Sequence, residues 1–328
     1  MSFPVQRLRR LRRTPALRRL VRETELSPGD LVLPLFVAEG LDAPRPIAAL
    51  PGVDQETLES VVRRVERAVE LGVPACILFG IPAVKDATGS GAVAEDGIVQ
   101  QALRAIRRAV GDAIVCMADT CLDEYTDHGH CGLLTAAGTI DNDATIAAYG
   151  AVAVSQAAAG ADIIGPSGMM DGQVAAIRDA LDRSGFAEVA VMAYAAKFAS
   201  AFYGPFREAA GSKPQFGDRR SHQLDVANGR EALREVALDV EEGADLIMVK
   251  PALTALDVLT RARQAFPHPL GAYCVSGEYA MVRWAAAAGA FDQAQAMREV
   301  HVAIKRAGAD FILTYAALEL AAALRAEA

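Results

Sequence analysis

Lysine is scarce in this chain. Of its 33 basic side chains only Lys85, Lys197, Lys213, Lys250 and Lys305 are lysine, and the rest are arginine. Arginine does not give up its proton in a protein, whereas a desolvated lysine becomes a neutral amine nucleophile. Each lysine is therefore worth locating. Lys197 and Lys250 each end an apolar run, at 189–197 and 245–250. Strand side chains alternate in direction, so Leu246, Met248 and Lys250 share a face, as do Ala193, Ala195 and Lys197. If the two runs are neighbouring parallel strands, about 4.8 Å apart, both ammonium groups open into one mouth. Like charges at that range, partly desolvated, push each lysine below its reference pKa of roughly 10.4. A neutral amine beside a cation is the arrangement that forms Schiff bases with ketones. One strand-end lysine can simply snorkel to solvent; two, in so lysine-poor a chain, argue for catalysis.

A second group lies in D-T-C-L-D-E-Y-T-D-H-G-H-C, residues 119–131, where cysteine, aspartate and histidine crowd one loop. Zinc accepts sulfur, nitrogen and carboxylate ligands, and a catalytic zinc keeps three protein ligands and an open position. The spacing matches no common zinc finger, and a polar loop with buried free cysteines is the competing reading. Cys76, Cys116 and Cys274 read as core residues. A third group could anchor anions: Arg207, Arg219 and Arg220 with Gln223 nearby, and Ser276 and Tyr315 near the ends of later runs. The planar fork of arginine suits a carboxylate.

These residues need elements to hold them. Eight β-like runs, at 31–37, 75–81, 113–120, 162–167, 189–197, 245–250, 270–276 and 310–315, alternate with stretches of helical period such as Leu58, Val61, Val62, Val65 and Val69. Several helical stretches end in glycine before the next run, at Gly72, Gly160, Gly243 and Gly308, in a near-repeat of E/A-G-A-D. Eight such units predict an α/β fold, a (β/α)8 TIM barrel, with an arm over 1–28 and a single catalytic barrel over 29–328. A doubly wound open sheet shares the alternation, but no glycine-rich phosphate turn follows the first run. In a barrel the functional side chains sit at the C-terminal strand ends, which here collects Asp119, Cys121, Ser167, Lys197, Lys250, Ser276 and Tyr315. One connection, 198–228, runs about 30 residues, rich in aromatics and arginine, and reads as a lid over that end.

Composition bounds the function. A chain of 328 residues, 52% hydrophobic with mean hydropathy +0.19, can bury a large core and is too apolar for disorder. No stretch approaches the roughly 18 uninterrupted apolar residues of a membrane span. Net charge is −8, yet residues 1–25 hold eight arginines against Glu23 and Glu25, so the rest carries about −14. So acidic a body argues against nucleic acid as a partner, and the basic arm calls for its own explanation. Five cysteines without paired spacing suit a reduced, cytoplasmic location. No apolar segment follows the arginines as a secretory signal would require; an arginine-rich transit peptide fits the composition, but the arm runs into the first strand without a separable linker.

The chain resembles the porphobilinogen synthase (δ-aminolevulinic acid dehydratase) family over nearly its whole length. The resemblance is carried by M-A-D-T-C-L-D-E-Y-T-D-H-G-H-C-G, G-P-S-G-M-M-D-G, Y-A-A-K-F-A-S-A-F-Y-G-P-F-R, F-G-D-R-R, I-M-V-K-P and Y-C-V-S-G-E-Y. It implies a hydro-lyase of tetrapyrrole and heme biosynthesis that condenses two molecules of 5-aminolevulinate into porphobilinogen with loss of two waters. The family's Schiff-base lysines fall on Lys250, which holds the substrate that becomes the propionate side, and Lys197, which engages the second. Ser276 and Tyr315 carry over as carboxylate contacts of the first substrate, and Arg207, Arg219 and Gln223 as those of the second. Asp119 is implied in proton movement and Ser167 in binding the first substrate. Fully zinc-dependent members have three cysteines where this chain has Cys121, Asp123 and Cys131, a hybrid set that leaves the metal's identity open between Zn2+ and a harder ion. The family also implies an allosteric Mg2+ through Glu235, and N-terminal arms that help build a homo-octamer. A class I aldolase barrel, needing only one amine, and a catalytically inert barrel with a nucleic-acid-binding arm are the alternatives.

Overall fold

The apolar runs pair into one closed sheet in the computed structural model, which describes residues 5–326. The first four residues of the expected arm and the last two of the expected barrel lie outside the described residues. The eight strands are β1 (Leu31–Ala38), β2 (Ala75–Ile81), β3 (Val115–Thr120), β4 (Ile163–Pro166), β5 (Ala190–Lys197), β6 (Leu246–Lys250), β7 (Leu270–Cys274) and β8 (Phe311–Thr314). Every neighbouring pair is parallel, in sequence order around the ring. β1 pairs with β8 through Leu31 opposite Ile312 and Val32 opposite Leu313. That pairing closes the sheet, so the barrel stands and the open-sheet alternative falls. Closure also explains the composition: β1 is buried at all eight positions because core lies on both its faces.

The helical stretches behave as their periodicity requires. Leu58–Leu71 buries Val61, Val65 and Ala68, is capped at its start by Thr57, and ends at Gly72 in the left-handed region. Gly160, Gly243 and Gly308 likewise have positive φ, at 105°, 102° and 123°, conformations that cost glycine nothing sterically. The aspartate of the repeated G-A-D has a separate purpose. Asp162 accepts from the Cys116 N–H at 2.7 Å, Asp245 from Val191 at 2.8 Å and Asp310 from Leu270 at 2.8 Å. Each aspartate entering an even strand thus caps the start of the odd strand before it, satisfying a backbone donor at the sheet's edge.

Three expected runs end early, and Ser167 lies just past β4. Ser276 is not on β7; it opens the helix Ser276–Ala287, whose first turn is tied by Glu278 to the Val275 N–H. Tyr315 lies just past β8, in the turn before Ala317–Ala326. Both strands stop where their partners stop offering ladder bonds, and their apolar run continues into the mouth instead. The arm forms short helices at Leu8–Arg12 and Pro15–Leu20 with no buried residue in either. Beside β1, Arg45–Pro46 and Asp54–Glu56 form a small antiparallel pair, which sets Gln55 opposite Phe36 at the barrel rim. No helix among the described residues is long and apolar enough to cross a membrane. Asp245→Ala, which removes a cap without touching the mouth, is expected to cost about 1 kcal/mol; an unchanged Tm by circular dichroism would refute the capping role.

Candidate active site

The two strand-end lysines are brought together by register: Lys197 of β5 pairs directly with Lys250 of β6. Each is only 5% exposed, and their surroundings differ. The Lys197 Nζ donates to the main-chain carbonyl of Ser167, after β4. The Lys250 Nζ sits among aromatic rings, 4.4 Å from the centroid of Tyr273, 5.0 Å from Tyr194, and 5.3 Å from both Tyr203 and Phe206. Burial, with the neighbouring charge of Lys197 adding to it, pushes Lys250 down to about 7. An amine that poised is available as a nucleophile near neutral pH.

Sequence reasoning missed this aromatic seat. Simple alternation would direct Tyr194 away from the face that carries Lys197. The register of β5 against β6 shifts between Ala193 and Ala196, and the Tyr194 ring comes within 5.6 Å of the Lys197 Nζ as well. A strand irregularity of this kind re-aims one side chain next to a site, and no residue type in A-Y-A-A-K announces it.

Asp119, in β3, faces both lysines. Its Oδ2 accepts from the Ser167 Oγ at 3.0 Å, while Oδ1 has no protein partner. Burial raises its carboxyl to about 6 against the pull of Lys197 and Lys250. At the ends of β7 and β8, the Tyr315 and Tyr273 hydroxyls meet at 3.1 Å. The Ser276 hydroxyl accepts from the Phe206 N–H at 3.0 Å and donates to the Phe202 carbonyl at 3.3 Å. Ser276 therefore also binds the lid to the helix behind β7.

The 198–228 connection does cover the mouth. Its ends are stitched to the strand tips, Leu224 N–H to Lys197 O at 3.0 Å and Ala199 N–H to Leu224 O at 2.8 Å. Its own Arg219 and Gln223 are buried, at 5% and 3% exposure. Arg207 Nε, Arg219 Nε, Ser212 Oγ and both amide atoms of Gln223 are buried without a protein partner. Burial and the charge of Arg219 both depress Arg207. Two guanidiniums that repel each other, amid unspent donors, can receive a carboxylate. Arg220 does not join them; it is exposed and lies 3.7 Å from Asp218.

Below the lid, one donor atom each of Cys121, Asp123 and Cys131 lie within 4.8 Å of one another, all buried. The histidines of the same stretch do not complete the set: His128 Nδ1 accepts from the His130 N–H at 3.1 Å. The Asp123 Oδ2 lies 2.9 Å from Arg219. Burial works to raise Asp123, and Arg219 and then Lys197 overcome it, holding the carboxyl well below its ordinary range. A hydrogen bond from Cys121 and the charge of Arg219 favour the Cys131 thiolate against burial. Two sulfurs and one carboxylate fit a zinc-type ion better than magnesium, which takes oxygen ligands. Glu124, inside the quoted motif but read only as loop, is 2% exposed. Burial, then Asp123 and Asp119, push it well above its ordinary value.

Glu235 lies on the helix Gly229–Glu241, at a cavity of about 600 Å3 that Gln223, His222 and Asp171 also line. Burial and the charges of Asp171 and Glu231 raise its carboxyl.

The family model described as delta-aminolevulinic acid dehydratase matches residues 5–323. The chain belongs to this family. The enzyme is 56% identical over 322 residues to the delta-aminolevulinic acid dehydratase of Mycobacterium tuberculosis (strain CDC 1551 / Oshkosh), covering 98% of each chain. It is 52% identical to that of Synechococcus elongatus (strain ATCC 33912 / PCC 7942 / FACHB-805), over 97% of this chain and 98% of that one. Among solved structures it superposes on the delta-aminolevulinic acid dehydratase (porphobilinogen synthase) of Toxoplasma gondii ME49 with its product porphobilinogen. There the TM-score is 0.96 and the identity 39%, over 99% of this chain and 93% of the other.

The depressed lysine makes a direct prediction. Below about pH 7 Lys250 takes up a proton and loses nucleophilicity; above it the amine is free. Competitive amine labelling read by mass spectrometry is expected to show Lys250 reactivity rising through about pH 7. A midpoint near the ordinary 10.4 would contradict the aromatic seat's effect.

Proposed function

We propose that this chain performs its family's reaction through Schiff bases on Lys250 and Lys197. As a delta-aminolevulinic acid dehydratase it joins two molecules of 5-aminolevulinate into porphobilinogen with loss of two waters. The single observation that carries the mechanism is the in-register pair of buried lysines: two ketones call for two amines. The Lys250 amine attacks the first ketone and expels water; Lys197 engages the second. One carbon–carbon and one carbon–nitrogen bond then close the ring, both lysines are released, and two waters have left. Ser276 and Tyr315 anchor the first substrate's carboxylate, and Arg207, Arg219 and Gln223 the second's. Asp119, hydrogen-bonded by Ser167, exchanges protons with the bound substrates, and Ser167 helps bind the first of them. The closed lid keeps water from the imines.

Cys121, Asp123 and Cys131 would hold the metal, and Zn2+ there would supply Lewis acidity toward the second substrate's amine or a water. Arg219, paired with Asp123, orients that carboxylate. Glu235 would hold the family's stimulatory Mg2+, where crowded carboxylates favour a cation. The arm is an assembly strap of a homo-octamer: Leu8, Leu11 and Leu20 are exposed on it, beside arginines suited to an acidic neighbouring copy. The two-lysine mouth favours this over a single-amine aldolase.

Borohydride reduction in the presence of 5-aminolevulinate is expected to label Lys250 and Lys197 covalently; an inactive protein with neither labelled would refute the reading. Thorough chelation is expected to lower activity and Zn2+ to restore it, followed by metal analysis and product formation. Full activity after verified metal removal would overturn the metal assignment.

A further inference from the structure

Three of the five lysines remain once the Schiff-base pair is assigned. Lys213 is exposed, and Lys305 forms an ion pair with Asp30 at 2.7 Å. Lys85 is different. It follows β2, on a loop joined to the metal-ligand segment by Asp86 N–H to Tyr125 O at 3.2 Å and Asp127 N–H to Asp86 O at 3.0 Å. From there its Nζ reaches across to the lid, donating to the carbonyls of Gly211 at 2.8 Å and Ala210 at 3.4 Å.

Those carbonyls belong to the end of the lid helix Gly204–Ala209, which carries Arg207. A helix end leaves its last carbonyls without intrahelical donors. Here Phe206 O is satisfied by the Ala210 N–H, Glu208 O by Gly211 and Arg207 O by Ser212, at 2.9, 3.3 and 3.0 Å. The next four carbonyls take side chains from outside the helix: Gln55 on Ala209 at 2.6 Å, Lys85 on Ala210 and Gly211, and Arg219 on Ser212 at 2.6 Å. Gly211, at φ 58°, turns the chain so that its carbonyl meets the amine.

We infer that Lys85, with Gln55 beside it, latches the lid to the barrel rim and is thereby a positioning residue for Arg207. The latch spans the gap between the β2 loop and the lid and ties the lid helix to the rim. This rests on Arg207 being the second substrate's carboxylate anchor, and the test separates the two claims.

The test compares full-length Lys85→Met, Lys85→Arg and wild type. In substrate-free protein, amide exchange over residues 204–213 is expected to quicken by about tenfold in K85M and to return toward wild type in K85R, which keeps the donors. The KM for 5-aminolevulinate is expected to rise about tenfold while borohydride trapping at Lys250 under saturating substrate is retained. Faster exchange with an unchanged KM supports the latch and overturns the reading of Arg207. Unchanged exchange overturns the latch, as does loss of bound zinc with the lid undisturbed, since Lys85 then acts on the metal segment alone. If K85M does not accumulate, Gln55→Leu is measured over the same amides, and unchanged exchange there overturns the proposal equally.

Discussion

Six ionisable side chains, Asp119, Asp123, Glu124, Lys197, Arg219 and Lys250, are packed into one barrel mouth, none more than 7% exposed. Removing an ion from water costs several kcal/mol unless its surroundings compensate, and most of the site's geometry is that compensation. Asp123 is matched by Arg219, Lys197 by the Ser167 carbonyl, and Asp119 by the Ser167 hydroxyl. Lys250 has no such partner. It is surrounded by rings, and burial draws its pKa down to about 7. The same desolvation that strains the mouth thus makes an amine available near neutral pH.

That condition depends on the lid. Tyr203 and Phe206, two of the four rings about Lys250, belong to it. An open lid would return water to the amine and raise its pKa toward the ordinary value. The lid in turn is held by Ser276, on the Phe206 N–H, and by its own Arg219, which reaches the Gly129 carbonyl and Asp123. Arg219 contacts both the Asp123 carboxylate and the Ser212 carbonyl, so the 121–131 stretch and the lid are mechanically one unit.

Much of this was legible beforehand. The alternation of eight apolar runs with helical periods predicts a barrel, because a parallel strand buried on both faces must be apolar throughout, as β1 is. The scarcity of lysine isolates Lys197 and Lys250, and the shared strand-end position predicts a common mouth. Tyr194 was not legible, since its direction depends on a register shift in β5 that alternation does not anticipate. Nor were the boundaries at Ser276 and Tyr315, where apolar character continues after the ladder has ended. Arg219 and Arg220 are adjacent and identical in type; only packing separates the buried one from the exposed one. The repeated G-A-D showed as a pattern, but its reason, a cap on the preceding strand, needed the three-dimensional pairing.

The sequence by itself determined the class of fold, the two amines, the donor set Cys121, Asp123 and Cys131, and membership of a family of known chemistry. These are properties of residue type and spacing, which survive without coordinates. The tertiary structure decided which amine sits among aromatic rings, which arginine faces the mouth, and how Lys85 and Gln55 hold the lid. Each of these depends on desolvation or on contacts between segments far apart in the chain, Lys85 with Gly211 and Asp123 with Arg219 among them. Both vary with distance and burial, which only the folded chain sets.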